Sequence, residues 1–262
     1  MNEVFFTVER QFCQKDVEQF IDGIDSKQKY QFFKQAKKKD REVFVVKKND
    51  TVIGLYVFLF IEDEKYLELL FYLSGETSAF DYLLLYLSDN YKEFKIDFVF
   101  DKDDKMVESL KKYNCIFEKD QYVMKLKGYK PVNITYNIVN YCEKYRDQYT
   151  QLHSKDVYWT ADKVINSPEQ FKIFLCLVDN QVVGYVDMSY CFTVNQPFDV
   201  FVKKEYRNRG ICKEMLTVAI NSNENRQVEL TVDYDNEFAI KAYRSLGFEN
   251  VGNLISTVHM FL

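Results

Sequence analysis

The order of predicted secondary-structure elements occurs twice in this sequence, and the repetition limits the possible folds more than any other feature. The segments EVFVVKKNDTVIGLYVFLFI (Glu42–Ile61) and FKIFLCLVDNQVVGYVDMSY (Phe171–Tyr190) each predict a strand, a polar turn and a second apolar strand. The turns fall at Lys48–Asp50 and Asp179–Asn180. We therefore expect two β-hairpins of the same design.

The elements that follow each hairpin also agree: a strand, a helix, a strand, a helix and a final strand. In the first copy they are predicted at Lys65–Leu73, Ser78–Asn90, Phe94–Phe100, 104–113 and Tyr122–Leu126. In the second copy they are predicted at Pro197–Val202, Ile211–Ser222, Gln227–Asp233, 236–246 and Ser256–Leu262. This order is typical of an α/β fold, here an α+β mixed central sheet flanked by helices.

Gly128 and Pro131 interrupt the pattern between the two copies. We therefore predict two domains of similar fold in tandem, 1–128 and 129–262. A single continuous domain with chance similarity between its halves remains the alternative.

Composition limits the class of function. The chain has 262 residues, of which 47% are hydrophobic and 29% charged, so it can bury an ordinary core. Its formal net charge is −5 and it has no long basic stripe, which argues against nucleic-acid binding. No apolar run approaches the roughly 18 residues that a membrane span needs, and the N-terminus has no basic-then-apolar leader. We expect a cytoplasmic protein with no membrane partner.

Cysteine and histidine usage argues against disulfides and metal. None of the six cysteines forms a CxxC pair, so free thiols in a reducing compartment are predicted. The two histidines, His153 and His259, are far apart in sequence, and we predict no metal site.

The stretch EYRNRGICKEML (Glu205–Leu216) lies between a predicted strand and a predicted helix. A helix start presents free backbone N–H groups and the positive end of the helix dipole, which favours anions. Arg207 and Arg209 can add charge-assisted hydrogen bonds to phosphate oxygens, and Gly210 permits a turn closed to other residues. The stretch predicts a phosphate or pyrophosphate site, with a solvated helix cap as the alternative.

Two motifs resemble the signatures of the GNAT acyltransferase superfamily. RNRGIC (Arg207–Cys212) resembles its Gln/Arg-x-x-Gly-x-Gly/Ala loop, although Cys212 stands where Gly or Ala is usual. DNEFAIKAYRSLGF (Asp235–Phe248) resembles its Asn-x-x-Ala-x-x-x-Tyr-x-x-x-Gly-Phe signature. The motifs occur in the family's order with a predicted strand between them. The close resemblance covers about Phe171–Leu262, and the first copy matches only in pattern.

The resemblance implies that acetyl-CoA is bound. Its pyrophosphate would lie on Arg207, Asn208, Arg209, Gly210, Ile211 and Cys212. The backbone of Phe201 and Val202 would pair with the pantetheine amides. Asn236 would contact the pantetheine or sulfur region, or only cap its helix. Tyr243 would be the general acid near the CoA sulfur, because a phenol is protonated at neutral pH. A reactive Cys212 thiol at the helix start is an alternative to a merely small side chain.

The general base stays open. Many relatives carry a Glu on the fourth strand, and this chain has Gln196 there, which cannot accept a proton. Asp199, Asp187 and Asp233 are candidates, and Asp199 is our prediction. Strand alternation places Asp199 on the opposite face from Gln196. A water chain, or an acceptor that arrives uncharged, is also consistent with the sequence.

The first copy lacks these parts. Its counterpart of the phosphate loop, LSGETSAF (Leu73–Phe80), has no arginine and carries Glu76. The turn at Lys102–Lys105 lies opposite Asn236, and Leu110–Lys112 lies opposite Tyr243. We predict a degenerate GNAT-like domain that does not bind CoA and either shapes the acceptor pocket or only supports folding.

The resemblance therefore implies a tandem-GNAT N-acyltransferase without metal. It would transfer acetyl from acetyl-CoA to the amine of a small-molecule or peptide acceptor, as a monomer or homodimer. A catalytically silent CoA-binding sensor or interaction module, and an aminoacyl-tRNA-dependent transferase, are the alternatives.

Overall fold

A computed structural model describes residues 5–10, 14–22, 26–155, 157–190, 194–222 and 227–262. The chain forms two compact units. The N-terminal unit comprises Met1–Asp120 and Leu254–Leu262, and the C-terminal unit comprises Gln121–Asn253. Each unit combines strands and helices, as predicted. No helix among the described residues is both long enough and apolar enough to cross a membrane.

The N-terminal unit begins with a run of antiparallel strands. Its elements are β1 (Phe6–Glu9), α1 (Gln14–Ile21), α2 (Ser26–Ala36), β2 (Arg41–Lys48), β3 (Thr51–Ile61), β4 (Tyr66–Ser74), α3 (Thr77–Asn90), β5 (Lys95–Asp101), α4 (Lys105–Leu110) and β6 (Cys115–Phe117). Strands β1 to β4 pair antiparallel in chain order, and β5 then pairs parallel to β4. Helices α1 and α2 lie in a part of the chain where the sequence analysis predicts no element.

The C-terminal unit repeats this order. Its elements are β7 (Gln121–Leu126), β8 (Asn137–Asn140), α5 (Arg146–Leu152), α6 (Ala161–Ile165), β9 (Phe171–Val178), β10 (Gln181–Ser189), β11 (Gln196–Val202), α7 (Ile211–Asn221), β12 (Glu229–Asp233), α8 (Glu237–Ser245) and the start of β13 (Phe248–Phe261). Strands β11, β10, β9 and β8 form one antiparallel sheet in that spatial order, and β12 pairs with β7.

The last strand of each copy is paired outside that copy. Ile255–Phe261 of β13 pairs with β5 in the N-terminal unit, and β7 pairs with β12 in the C-terminal unit. The compact units therefore do not follow the predicted spans 1–128 and 129–262, because strand pairing moves both final strands. As divisions of the sequence repeat, the two spans remain a prediction.

The predicted hairpin turns are confirmed. Asn49 and Asp50 have φ of 48° and 63°, and Asp179 and Asn180 have φ of 50° and 62°. Two consecutive left-handed residues give the type I′ turn that matches the twist of antiparallel strands, and Asn and Asp tolerate it.

The repeat extends to irregularities of strand pairing. The pairing of β2 with β3 shifts register just before Gly54, and that of β9 with β10 shifts just before Gly184. A Cβ at Gly54 would lie 3.0 Å from Ala79 of α3, and one at Gly184 would lie 3.1 Å from Met215 of α7. Each glycine therefore lets a helix approach its sheet closely. A second shift occurs in β3–β4 and at the same place in β10–β11.

Each hairpin sheet is covered on both faces. In the C-terminal unit, α7 and α8 cover the face that carries Val186 and Met188. Helices α5 and α6 cover the face that carries Leu175 and Tyr185. Both faces of the central strands are thus apolar over most of their length, which accounts for their nearly continuous hydrophobic runs.

Candidate active site

The strands β11 and β12 separate and leave an open edge. They touch at Asn195, whose N–H donates to Gln227 O at 2.9 Å and whose carbonyl accepts from Glu229 N at 3.1 Å. Beyond this bridge, the described residues of β11 pair only with β10. A chain that lies along this edge can hydrogen-bond to β11 as an added strand would.

Backbone direction decides which groups face the open edge. Lys203 N donates to Val183 O at 2.8 Å, so Lys203 points its backbone groups at β10. Because direction alternates along a strand, Phe201 also points at β10 and Val202 points at the open edge. Val202 O is occupied there by Arg207 Nε at 2.9 Å. The geometry thus favours Val202, through its N–H, over Phe201 as a backbone partner for pantetheine.

We call the predicted phosphate site, Arg207–Cys212, the anion loop. Its backbone N–H groups are the feature that could bind a phosphate. Asn208 and Gly210 have φ of 62° and 85°, so both are left-handed. The first amide of this region that bonds within the helix is Lys213 N, to Gly210 O at 3.0 Å. The amides of Asn208–Cys212 donate to none of the residues that the structure describes. A helix start with free N–H groups and alternating left-handed residues forms a concave site for anions.

Gly210 is required by its conformation rather than by crowding. Nothing lies within 4 Å of the place that a Cβ would occupy there. Its left-handed φ is nevertheless one that other residues adopt with strain, as the sequence predicted. The side chains of Arg207, Asn208 and Arg209 are exposed, whereas Ile211 is buried.

The two arginines rest on aromatic rings beside the loop. The Arg207 guanidinium carbon lies 5.9 Å from the centroid of the Phe201 ring, and that of Arg209 lies 5.4 Å from the Tyr206 ring. The Arg207 hydrogen bond to Val202 uses one of five donors. The remaining donors of Arg207 are available to a phosphate.

Cys212 is a neutral thiol in this structure. It packs against the core beneath α7, and burial raises its pKa to about 11. The thiolate fraction at neutral pH is therefore small. This favours the tolerated small side chain over the reactive thiol.

Tyr243 of α8 lies in the same neighbourhood as Cys212 and Asp199. Burial raises the pKa of its phenol, and the charges of Cys212 and Asp199 raise it further. Tyr243 is 8% exposed. Among the described residues, none hydrogen-bonds to its hydroxyl. The phenol is thus a protonated donor with an unused hydrogen.

Asn236 caps α8, because its Oδ1 accepts from Ala239 N at 3.2 Å. The predicted helix cap is confirmed, and contact with CoA remains a prediction. Asp233, the third candidate base, accepts a hydrogen bond from Gln121 Nε2 at 3.0 Å.

Asp187 and Asp199 lie directly opposite each other on β10 and β11. Asp187 is fully buried and accepts from the Tyr149 hydroxyl at 2.8 Å and faces His153 Nε2 at 3.0 Å. Asp199 accepts from the Tyr185 hydroxyl at 2.6 Å and lies 3.7 Å from His153 Nε2. The structure therefore brings two of the predicted bases together around one histidine.

The expected facing of Asp199 was wrong. Asp199 pairs with Asp187 and Gln196 pairs with Ser189, and these partners are two residues apart on one strand. Gln196 and Asp199 consequently share a face of the sheet. A β-bulge at Phe198 inserts one residue into β11 and cancels the alternation on which the expectation depended.

His153 is the functional residue that the sequence reasoning missed. The available signal is its spacing of four from Tyr149, which places both residues on one helical face. Burial alone would lower its pKa, but hydrogen bonds to Asp187 and to the Ser154 carbonyl raise it. Burial raises the pKa of Asp187 to about 6. Ligand atoms of His153, Asp187 and Asp199 lie within 4.8 Å of one another, and hydrogen bonds account for this grouping.

Comparison with protein families matches residues 138–248 to the acetyltransferase (GNAT) family. The match runs from β8 to the start of β13 in the C-terminal unit. Among curated proteins, L-amino acid N-acetyltransferase AaaT of Escherichia coli (strain K12) is 29% identical over 108 residues. This match covers 38% of the present chain and about 65% of the length of that relative.

The GNAT fold extends over nearly the whole chain. A tandem GNAT protein from the clavulanic acid biosynthesis pathway is similar over 98% of both chains, with a TM-score of 0.58 and 12% identity. A GCN5-related N-acetyltransferase from Sphaerobacter thermophilus covers 97% of this chain and 94% of its own, with a TM-score of 0.59 and 13% identity. The tandem arrangement of two GNAT folds predicted from the sequence repeat is confirmed.

Proposed function

We propose that this GNAT protein binds acetyl-CoA in its C-terminal unit and transfers the acetyl group to an amine. The observation that carries the proposal is the set of free amides at Asn208–Cys212, next to the open edge at Val202 and close to Tyr243. The pyrophosphate of acetyl-CoA needs backbone N–H donors, its pantetheine amides need a strand edge, and its leaving thiolate needs a proton donor. The three groups of the site follow the same order.

Each group then has a chemical role. The loop amides with Arg207 and Arg209 would hold the pyrophosphate. The acceptor amine would attack the thioester carbonyl, and the carbon–sulfur bond would break with its electron pair on sulfur. Tyr243 would protonate the thiolate, and Asp199 would take the proton that the attacking nitrogen loses. No covalent intermediate on the enzyme is required.

The acceptor that we propose is a small molecule bearing an amine. The name of the similar Escherichia coli protein gives L-amino acids as its substrates. L-amino acids are therefore the first acceptors to try, followed by other small amines and peptides. Product should be identified by mass spectrometry after incubation with acetyl-CoA.

Acetyl-CoA binding by calorimetry tests the proposal. We expect one site per chain with a Kd in the micromolar range, about −8 kcal/mol. Gly210→Glu should weaken binding at least ~100-fold, because it places a carboxylate at the anion loop and strains it. Gly252→Glu is the matched control, since Gly252 has φ of 71° and nothing within 4 Å of its Cβ position. Absence of binding by the wild-type protein would refute the proposal.

A charge-reversal pair separates the loop from overall charge. Arg209→Glu should weaken acetyl-CoA binding about tenfold or more, because a charge-assisted hydrogen bond contributes roughly 1.5–3 kcal/mol. Arg244→Glu changes net charge equally on the exposed side of α8. It should leave Kd within about twofold at 0.15 M salt. Equal effects of both variants would mean that general electrostatics, not the loop, determines binding.

A silent CoA-binding module is the second candidate, and Gln196 at the family's usual base position favours it. Both candidates predict acetyl-CoA binding. Acetylation of any amine in the acceptor screen excludes the silent module. Binding without turnover on all of them supports it.

A further inference from the structure

Five side chains of the C-terminal unit form a connected polar cluster under α5. We call Tyr149, His153, Tyr185, Asp187 and Asp199 the proton cluster. The His153 and Asp187 side chains are 2% and 0% exposed, whereas that of Asp199 is 36% exposed. Asp199 is thus the member through which a ligand can reach the cluster.

Hydrogen-bond geometry fixes the number of protons. His153 Nδ1 faces the Ser154 carbonyl at 3.1 Å, so it must carry a hydrogen. His153 Nε2 faces Asp187 Oδ2 at 3.0 Å, and two lone pairs cannot hold that distance. A second proton therefore lies between the ring and the carboxylate. The raised pKa of His153 and the pKa of about 6 for Asp187 place this proton on Nε2 at pH 7. Both tyrosines of the cluster have raised pKa values, so they donate and supply no charge.

Two buried polar atoms beside the cluster lack partners. Asp187 Oδ1 and Ser189 Oγ make no hydrogen bond to any residue that the structure describes, although both side chains are buried. Leaving such atoms unpaired costs about 1–3 kcal/mol each. At the corresponding positions the N-terminal hairpin has Val57 and Leu59, which carry no polar side-chain atom.

The N-terminal unit serves as an internal control for the fold. The pair Val57–Phe71 precedes the β3–β4 register shift as Asp187–Asp199 precedes the shift in β10–β11. Val57 and Phe71 pack in an apolar cluster that includes Phe32 of α2. The hairpin therefore forms with apolar residues at these positions, and the charged pair serves another purpose.

We propose that His153 and Asp187 are positioning residues that store one proton and orient Asp199 to bind the ammonium group of the acceptor. The inference rests on the proposed function and adds His153 and Asp187 to its acceptor site as positioning residues. Asp199 would accept one ammonium proton and pass it to water, and the neutral amine would then attack. Asp199 would next take the second proton that the nitrogen loses, and through water this proton would restore the Tyr243 phenol after it has protonated the thiolate. The proton between His153 and Asp187 stays in place throughout.

Imidazole NMR tests the stored proton without any acceptor. The chain has only two histidines, so His259→Gln assigns the ¹⁵N signals of His153. At pH 7 both ring nitrogens of His153 should be protonated. Its titration midpoint should fall in Asp199→Asn, a variant of a partly exposed residue, because a nearby anion is lost. A neutral His153 ring at pH 7 would overturn the proposal.

An amine titration tests the binding role. Adding n-butylamine at pH 7 should shift the His153 signals in the wild-type protein and leave them unchanged in Asp199→Asn. Sodium chloride at the same concentration is the solvent control. Glu249→Gln, at an exposed carboxylate of β13, is the matched control and should respond as wild type does. No response to n-butylamine in the wild type, or an equal response in Asp199→Asn, would contradict the proposal.

Kinetics distinguishes positioning from mere packing. His153→Gln removes the cation between two carboxylates, so the acidic limb of kcat/KM should move up by about one pH unit. Its acetyl-CoA Kd should match wild type. An unchanged pH profile, or a stoichiometric metal that His153→Gln releases, would overturn this inference alone. If the wild-type protein does not bind acetyl-CoA, the proposed function is refuted. The NMR result on the His153 proton would remain valid in that case.

Discussion

The two copies of the hairpin agree in backbone register and differ in the side chains that they place there. By the shared register shifts, Leu55, Val57 and Phe71 of the N-terminal unit occupy the positions of Tyr185, Asp187 and Asp199 of the C-terminal unit. One set is apolar and packed, and the other binds a proton. The comparison separates what the GNAT fold needs from what a reaction would need.

The loops that precede α3 and α7 differ in the same way. Glu76 immediately precedes α3, and Lys48 Nζ holds it at 3.0 Å. The nearby cleft, about 460 Å³ in volume, also has Asp104 in its lining. Two carboxylates would repel a phosphate where the C-terminal unit has Arg207, Arg209 and Gly210. The expectation that the N-terminal copy does not bind CoA remains a prediction.

The largest effect should come from Tyr243, because its counterpart in the N-terminal copy, Leu110–Lys112, has no tyrosine. Tyr243→Phe should lower kcat by roughly 10²–10⁴, because a positioned general acid contributes that much. Acetyl-CoA affinity should stay unchanged. Tyr113→Phe, three residues after α4 in the N-terminal unit, is the control and should not change steady-state rates. An active Tyr243→Phe would remove the proposed acid.

Apolar replacements in the proton cluster test whether the fold of the C-terminal unit needs its charges. A single variant and a combined variant are compared by their free energies of unfolding. Asp187→Val alone should lower the free energy of unfolding by about 3–5 kcal/mol, because it removes the buried carboxylate that hydrogen-bonds to His153. The combined variant should recover most of this loss in urea unfolding: Tyr149→Phe, His153→Phe, Tyr185→Leu, Asp187→Val and Asp199→Phe. If the combined variant were as unstable as Asp187→Val, the polar cluster would be a requirement of the fold.

A second histidine makes the N-terminal unit sensitive to pH. His259 hydrogen-bonds to Asp97 at 2.6 Å and Glu118 at 2.7 Å, and these contacts raise its pKa to about 9. The unfolded value is about 6.5, so the stabilisation is complete below about pH 6.5 and lost as pH rises past 9. On the order of 3 kcal/mol should disappear across this window. Thermal melts of His259→Gln should lack this decline, and parallel curves for both proteins would contradict it.

The smallest effects should come from the helix caps. Asp104 accepts from Met106 N at 2.9 Å at the start of α4, as Asn236 does from Ala239 N at the start of α8. Either residue changed to Ala should cost about 1 kcal/mol of unfolding free energy. Only Asn236→Ala should also weaken acetyl-CoA binding. Equal, unchanged affinities in both variants would reduce Asn236 to a cap.

Local patterns predicted the hairpins, α7, α8 and the anion loop because each depends on residues close in sequence. The turn at Asp179–Asn180 and the left-handed Gly210 are set by backbone sterics that sequence reveals directly. Free thiols at Cys115, Cys142, Cys176 and Cys212 agree with the prediction, while Cys13 and Cys191 lie outside the described residues.

The rest depended on pairing that no local pattern encodes. The bulge at Phe198 set the facing of Asp199, and only the register with β10 reveals it. His153 lies 34 residues from Asp187 in sequence, so its role emerges only when α5 packs on the sheet. The sequence also does not reveal that β7 pairs with β12 and β13 with β5. Each final strand has the same apolar alternation, which would be buried equally well if it paired within its own copy.

The pairing of β13 with β5 has a consequence for synthesis on the ribosome. Asp97 and His259 are 162 residues apart, yet they meet in one sheet of the N-terminal unit. Domains usually complete themselves in order as they emerge from the exit tunnel. Here the first unit must wait, with the β5 edge unfilled, until residues 255–261 have been translated. A nascent chain stalled before those residues should therefore expose an unpaired strand edge, the kind of surface that chaperones bind.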